Sequence, residues 1–128
     1  HKAKIENIKD VNIWGSGNAK REFLYVDDLA NACFHVMNLD KKLISNHIDE
    51  MCSHINVGTG KDITIKELAL TIKKVINYQG ELIFDIDKPD GTPRKLLDVG
   101  IINKLGWIHK TELIDGLIKT YEDYKNNL

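Results

Sequence analysis

Residues 14–30, WGSGNAKREFLYVDDLA, contain the pattern that decides the fold class of this chain. Apolar and polar residues alternate over Val11–Trp14, which predicts a short strand that enters a turn at Gly15-Ser16-Gly17. Phe23–Val26 is aromatic and β-branched and predicts a second short strand. Asp27-Asp28 follows where a helix is expected to begin, because aspartate favours the cap position and its charge suits the positive helix end. The pattern is strand, turn, strand, helix.

Downstream, apolar side chains recur at helical spacing in four segments. The first stripe is predicted to be buried on a helix after Asp28 and comprises Leu29, Ala32, Cys33, Val36 and Met37. Residues 64–67 have the S/T-x-x-E capping-box pattern and open a second helix, whose stripe is Ile65, Leu68, Ala69, Ile72, Val75 and Ile76. A short helix is predicted within 96–105, ended by Gly106. The last helix runs from about 111 to 125, with an inward face of Leu113, Ile114, Leu117, Ile118 and Tyr121.

The remaining pattern completes an α/β or α+β prediction. Residues 2–9 are predicted to be the end of a helix, Ile55–Val57 and Leu82–Phe84 short strands, and residues 40–52 and 88–93 loops. The strands are too few and too short for a complete doubly wound sheet. We predict one domain over residues 1–128, since domains usually run about 100–150 residues.

The composition is that of an ordinary globular protein with balanced charge. Hydrophobic residues make up 42% and charged residues 29%, which excludes a disordered or collagen-like chain. The 18 Lys and Arg residues face 19 Asp and Glu, so no global charge favours nucleic acid or an anionic membrane. No apolar run reaches the about 18 residues that a membrane span needs, and no signal peptide is visible. We expect a cytoplasmic protein, and the start at His1 in mid-pattern indicates part of a longer one.

Two glycine turns raise the question of dinucleotide binding. Gly15-Ser16-Gly17 and Gly58-Thr59-Gly60 each contain GxG, but Lys20 and Ile63 stand where the dinucleotide fingerprint needs its third glycine. We therefore interpret both as tight turns that need positive φ, and assign no cofactor-binding residue.

No catalytic or metal-binding pattern emerges from the remaining residues. Tyr121 and Lys125 have the Y-x-x-x-K spacing in which tyrosine can act as general acid or base, but they lie on a terminal helix that we interpret as a surface element. The five histidines show no metal-ligand spacing, and Cys33 and Cys52 fit neither CxxC nor a zinc pattern. We expect both cysteines to be reduced and structural, and assign no catalytic or metal residue.

Two cationic segments, both predicted to be loops, point to a phosphorylated ligand. Lys20-Arg21 follows the first glycine turn, and Arg94-Lys95 follows Pro93; arginine presents a planar fork suited to phosphate oxygens, and lysine supplies a point charge. Trp14 could form an apolar wall, and Asp90 could accept hydrogen bonds from the hydroxyls of a sugar. The alternative is that both cationic pairs are simply solvated charge.

Five segments resemble the nucleotide-sugar branch of the extended short-chain dehydrogenases. Four match that branch: WGSG at 14–17, REFLYVDDLA at 21–30, INVGTG at 55–60 and LGW at 105–107. The R-E-F-x-x-V-D-D pattern and LGW are shared by many of its members. The fifth, KPDGTPRKLLD at 88–98, is narrower and is similar to the enzymes that epimerise and reduce GDP-4-keto-6-deoxy-mannose. The resemblance covers nearly the whole chain.

This resemblance implies a two-domain, homodimeric parent enzyme. Its N-terminal Rossmann domain binds NADP(H), and its smaller C-terminal domain, which residues 1–128 resemble, binds the GDP-sugar. The resemblance implies that Trp14, Arg21 and Asp90 are substrate-binding positions and that Arg21 and Lys95 face the diphosphate. The family's nucleotide loop, its Ser/Tyr/Lys catalytic group and its epimerisation Cys and His have no counterpart here. We therefore expect this chain alone to bind no cofactor and to be inactive.

Two alternatives remain open, together with a question of self-association. The chain could be the equivalent part of another nucleotide-sugar epimerase or dehydratase, or a stand-alone nucleotide-sugar-binding module. Residues 28–37 and the Ile55 segment are expected to pack against the Rossmann domain. The chain alone would then expose apolar surface, and we expect it either to repack or to dimerise.

Overall fold

A computed structural model describes all of residues 1–128 as a mixed α/β chain with six helices and five short strands. In chain order the elements are α1 (Lys2–Ile5), β1 (Asp10–Trp14), β2 (Lys20–Glu22), α2 (Val26–Met37), α3 (Lys41–Ser45), β3 (Asp62–Thr64), α4 (Ile65–Val75), β4 (Glu81–Asp85), β5 (Arg94–Lys95), α5 (Gly100–Lys104) and α6 (Leu113–Asn126). The predicted fold class, short strands interleaved with helices and no complete doubly wound sheet, is confirmed. No helix is both long and apolar enough to cross a bilayer.

The strands form two small sheets. β1 pairs with β4 in parallel, with Asp10 opposite Glu81 and Trp14 opposite Asp85. The second sheet has the strand order β3-β2-β5, and β2 also pairs with β5 in parallel. The predicted strands at 11–14 and 82–84 are therefore confirmed as β1 and β4.

The chain packs into two compact units. The first comprises residues 1–21, 62–95 and 114–128, and the second comprises residues 22–61 and 96–113. The assignment of residues 1–128 to one sugar-binding domain stays a prediction.

In the first unit, helix α4 begins as its sequence predicts. The hydroxyl of Thr64 accepts a hydrogen bond from the Glu67 amide at 3.0 Å, and the Glu67 carboxylate accepts one from the Thr64 amide at 2.8 Å. The Thr64 amide, followed by its hydroxyl, lowers the pKa of Glu67. The predicted stripe along α4 is half-buried throughout.

The second unit has a small core around Ala32, Ile102 and Trp107. Five partly buried apolar residues pack against it: Leu24, Val36, Ile55, Val57 and Val99. The Trp107 indole donates a hydrogen bond to the side-chain oxygen of Asn31 at 2.9 Å, which satisfies its polar group. Gly106 has φ +89°, as predicted for the residue that ends α5.

The prediction that α2 buries five apolar residues is wrong. Ala32 is fully buried and Val36 half-buried, whereas Cys33 is exposed and Leu29 and Met37 are 44% and 83% exposed. The core of this unit covers only a narrow line of the helix. The expectation that Cys33 is a structural core residue is therefore wrong as well, and Cys52 is also exposed.

The start of α2 also differs from the prediction. The N-cap is Tyr25, without a side-chain cap, and Asp27 and Asp28 lie in the first turn. The buried Asp28 carboxylate accepts hydrogen bonds from the amides of Thr111 at 2.8 Å and Lys110 at 3.1 Å. Burial opposes ionisation of Asp28, but these amides outweigh it and lower its pKa.

Four further segments differ from the prediction. The strand expected at 23–26 lies instead at β2, because the ladder with β5 involves Lys20 and Arg21. Residues 55–57 form no strand, and the predicted loop at 40–52 contains α3, which the side chain of its N-cap Asp40 caps. On α6, Ile114 and Ile118 are 56% and 40% exposed, so its inward face is narrower than predicted.

Candidate ligand site

All four predicted substrate-binding residues, Trp14, Arg21, Asp90 and Lys95, belong to the first unit. Trp14 is the last residue of β1, at the carboxyl end of the parallel pair, where ligands of open parallel sheets often bind. Its side chain is 75% exposed, and the ammonium of Lys88 lies over the indole, 5.8 Å from the ring centroid. An exposed tryptophan beside a cation can stack against a flat or sugar-like ligand.

Asp90 closes the first glycine turn. One carboxylate oxygen accepts a hydrogen bond from the Ser16 amide at 2.8 Å, and the other accepts one from the Ser16 hydroxyl at 2.6 Å. The hydroxyl and then the amide lower the pKa of Asp90. Each carboxylate oxygen keeps a further lone pair, so binding of a sugar hydroxyl by Asp90 stays a prediction.

The two cationic segments are neighbouring strands rather than loops. In the parallel ladder of β2 and β5, Lys20 lies opposite Arg94 and Arg21 lies opposite Lys95. Side chains alternate between the faces of a strand, so Arg21 and Lys95 share one face and Lys20 and Arg94 the other. Residues 74 positions apart are thus brought side by side.

The two faces differ in whether an acidic side chain neutralises their positive charges. On one, the Arg94 guanidinium donates a hydrogen bond to the Asp62 carboxylate at 2.5 Å, which lowers the pKa of Asp62. The nearby Lys20 charge adds to that effect. On the other face, neither Arg21 nor Lys95 forms an ion pair.

Arg21 is nevertheless held in place. Its guanidinium donates a hydrogen bond to the Lys20 carbonyl at 2.6 Å and lies against Gly91, where a Cβ would approach it to 3.2 Å. The Arg21/Lys95 face therefore carries two uncompensated positive charges, the chemistry that phosphate oxygens require.

In the second unit, Glu22 organises the other glycine turn. One carboxylate oxygen accepts hydrogen bonds from the amides of Thr59 and Gly60, both at 2.5 Å, and the other accepts one from the Leu97 amide at 3.1 Å. The amides that a dinucleotide fingerprint would offer to a pyrophosphate are occupied. Sequence reasoning missed Glu22, because a glutamate at a strand end does not reveal partners 37 or more positions away.

Tyr121 and Lys125 do not form a phenol–amine hydrogen bond. The Lys125 ammonium lies over the Tyr121 ring, 5.1 Å from its centroid, and the Tyr121 hydroxyl is 3.0 Å from Nδ1 of His1. The amine therefore faces the ring rather than the oxygen that would carry a proton.

A separate groove lies away from these residues. It has a volume of about 600 Å³ and is lined at the amino-terminal ends of β1 and β4, by Lys9, Asp10, Gly80 and Glu81 among others. None of the four predicted residues lines it, and its mixed polar lining does not favour a ligand class.

Enzymes named for GDP-sugars are among the known proteins to which this chain is similar. Residues 2–58 match the NAD dependent epimerase/dehydratase family. The chain is 53% identical over 127 residues to GDP-L-fucose synthase of Escherichia coli K12 and covers 40% of that protein. It is 43% identical over 128 residues to GDP-L-fucose synthase 1 of Arabidopsis thaliana and covers 37% of it.

A solved structure shares the fold. A GDP-mannoheptose C4 reductase from Campylobacter jejuni, with NADP bound, superposes with a TM-score of 0.80 at 42% identity. The match covers 98% of this chain and 41% of the reductase. The chain thus spans about two fifths of the length of the relatives it matches.

Proposed function

We propose that this chain, whose residues 2–58 match the NAD dependent epimerase/dehydratase family, is the GDP-sugar-binding part of a GDP-L-fucose synthase. The longer enzyme would convert GDP-4-keto-6-deoxy-D-mannose to GDP-L-fucose by 3,5-epimerisation and 4-reduction. Identity of 53% over almost the whole chain supports this substrate class. We propose that residues 1–128 form its C-terminal domain.

The uncompensated Arg21/Lys95 face is the observation that carries the proposal. In this proposal Arg21 and Lys95 bind the diphosphate, Trp14 forms an apolar wall, and Asp90 accepts a hydrogen bond from a sugar hydroxyl. The ladder register places both cations on one face of adjacent strands, and this supports binding of a diphosphate there.

The contribution of this chain to the reaction is binding and orientation. Holding a substrate in a reactive geometry can lower a barrier by several kcal/mol, about 7–11 in the best intramolecular cases. The glycine turns do not fit a dinucleotide, because Ser16 donates to Asp90, and Thr59 and Gly60 donate to Glu22. NADP(H) is therefore proposed to bind outside residues 1–128, and this chain alone is proposed to be inactive.

The exposed face of α2 is proposed to contact the Rossmann domain of the longer enzyme. Val26, Phe34 and Met37 are 66%, 70% and 83% exposed, which is unusual for three large apolar residues on one helix. The relatives are about two and a half times as long as this chain, and we propose that the additional part of the longer enzyme covers these side chains.

We also propose that the longer enzyme is a cytoplasmic homodimer.

Calorimetric titration of this chain with GDP, UDP and NADPH tests the proposal. We expect GDP to bind, with UDP and NADPH weaker. Arg21→Ala should weaken GDP binding by about 10- to 150-fold, because a charge-assisted hydrogen bond contributes about 1.5–3 kcal/mol. Lys20→Ala is the matched control, since it removes the same charge from the opposite face of the same strand, and should leave the Kd within about twofold.

Each other outcome contradicts a defined part of the proposal. Equal loss of affinity in both variants would indicate a general charge effect rather than a phosphate site. Equal binding of UDP would point to another nucleotide-sugar enzyme, and no binding of any nucleotide would contradict a preformed site. If this chain binds GDP but does not occur as part of a longer enzyme, the stand-alone module would be favoured instead.

One observation favours a second candidate function. The reductase from Campylobacter jejuni is named for reduction at C4 of a GDP-mannoheptose and is 42% identical to this chain. A GDP-sugar 4-reductase without epimerisation is therefore the runner-up. Product analysis of the full-length enzyme with GDP-4-keto-6-deoxy-D-mannose in deuterated water distinguishes them, because only epimerisation places deuterium at C3 and C5.

A further inference from the structure

We propose that Lys88 is a positioning residue that holds the Trp14 indole in place for the ligand. The inference rests on the proposed function, since it concerns the same site. Lys88 lies in the loop between β4 and β5, and its ammonium is 5.8 Å from the centroid of the Trp14 ring. A cation over an indole face is attracted by the negative charge of the π system.

The backbone brings these two residues together. The Asp85 carbonyl accepts a hydrogen bond from the amide of Gly15, the residue after Trp14, at 2.9 Å. The same carbonyl accepts one from the Lys88 amide at 3.2 Å. One carbonyl group thus ties together the segments that carry the indole and the ammonium.

Other partners are within reach of this loop but are not used. Asp85, Asp87 and Asp90 lie within three positions of Lys88, yet its ammonium forms no ion pair with any of them. The Asp90 carboxylate is engaged by Ser16, and one oxygen of Asp85 is 3.2 Å from the Asp87 amide. The acids of the loop therefore hold its backbone, and the cation lies over the indole.

The Lys88 ammonium restricts the orientation of the exposed Trp14 side chain. Trp14 is 75% exposed, so little packing fixes its rotamer. An ammonium on one face restricts the indole and leaves the opposite face for a ligand. Lys88 acts through Trp14, and its removal should cost affinity without removing a direct ligand contact.

The experiment uses the two tryptophans of this chain as reporters. Trp107 is 4% exposed, so acrylamide quenches mainly the fluorescence of Trp14. Lys88→Met should increase this quenching and raise the Kd for GDP about two- to fivefold, the range of an exposed cation–π contact. Lys88→Arg, which keeps a cation on a long side chain, should restore both values.

Lys66→Met is the matched control. Lys66 lies over the Phe84 ring at 5.9 Å, a similar contact that involves no tryptophan. This variant should change neither quenching nor the Kd for GDP.

The results separate this inference from the proposed function. Failure of the unmodified chain to bind GDP would contradict the proposed site, and with it any role of Lys88 in affinity. With GDP bound normally, unchanged quenching in Lys88→Met would overturn the positioning role. A raised Kd with unchanged quenching would assign Lys88 a direct ligand contact instead, and increased quenching with an unchanged Kd would show that the indole contributes nothing to binding.

Discussion

Ser16 and Asp90 lie 74 positions apart and are joined by two hydrogen bonds, one from the amide and one from the hydroxyl of the serine. This clamp connects the turn after β1 with the loop before β5. Trp14 lies on one side of the turn, and Arg94-Lys95 follow the loop. The parts of the proposed site therefore depend on a contact that no local pattern encodes.

Gly15→Ala should destabilise the chain more than Gly106→Ala. Both glycines have positive φ, +84° and +89°, so each alanine costs about 1–2 kcal/mol of backbone strain. A Cβ at Gly15 would also overlap the Asp90 carboxylate, whereas at Gly106 nothing lies within 4 Å. Urea unfolding at pH 7 measures the difference. An equal decrease in unfolding free energy for both variants would show that the Asp90 side chain accommodates the added Cβ without loss of stability.

Glu22→Gln should lower the free energy of unfolding by about 1–3 kcal/mol, because an amide replaces the charged acceptor of three backbone amides. Glu112→Gln is the control. Glu112 is 70% exposed, and its carboxylate lies 3.8 Å from the Lys61 ammonium and 3.9 Å from Nε2 of His109. This substitution should therefore lower the free energy of unfolding by no more than about 0.5 kcal/mol. Urea midpoints compare the two variants. A Glu22→Gln midpoint equal to that of the control would refute the role of the Glu22 carboxylate in stabilising the second glycine turn.

Acid should destabilise the chain. Four carboxylates have a lower pKa in the folded chain than in the unfolded one, so the unfolded state binds more protons. Their stabilisation is complete above the unfolded values, about 3.9 for Asp and 4.3 for Glu, and is lost as the pH falls through the lower folded values. They are Asp28, Asp62, Glu67 and Asp90.

Urea unfolding between pH 6 and pH 2.5 measures this loss. The unfolding free energy should be nearly constant down to about pH 5 and then decline. Asp90→Asn should be less stable at pH 6 and show a shallower decline, because one of the four carboxylates no longer titrates. A free energy that rises between pH 5 and pH 3 would contradict the assigned directions.

Tyr121→Phe should leave GDP affinity unchanged within about twofold and cost at most about 1 kcal/mol of stability, the net value of a hydrogen bond. The variant removes only the hydroxyl that contacts His1. Calorimetry and urea unfolding measure both quantities. In the longer enzyme, a large fall in kcat would overturn the interpretation that Tyr121 and Lys125 lie on a surface helix without a catalytic role.

The exposed face of α2 should make this chain self-associate. Sedimentation should show a concentration-dependent dimer or larger species, which Phe34→Ser combined with Met37→Ser weakens, because the two side chains are 70% and 83% exposed. Met51→Ser is the control, since Met51 is 94% exposed but lies outside α2. A monomer of the unmodified chain that binds no hydrophobic dye would contradict this prediction.

The sequence by itself determined the features that depend on neighbours within one or two turns of chain. The capping box at Thr64, the strands β1 and β4 and the turn at Gly106 follow from local dihedral preferences and hydrogen bonds. The sequence also indicated a phosphate-bearing ligand, because the guanidinium and ammonium groups that bind phosphate are known from residue type alone.

Only the tertiary structure decided how those residues are combined. The register of β2 and β5 places Arg21 beside Lys95 and leaves Arg94 to Asp62, and it moves the strand from 23–26 to 20–22. Likewise, which side chains of α2 are exposed depends on the small core around Ala32, Ile102 and Trp107, which covers only part of the helix. Strand register and burial depend on partners far apart in the chain, so the same local pattern is compatible with several pairings until the fold selects one.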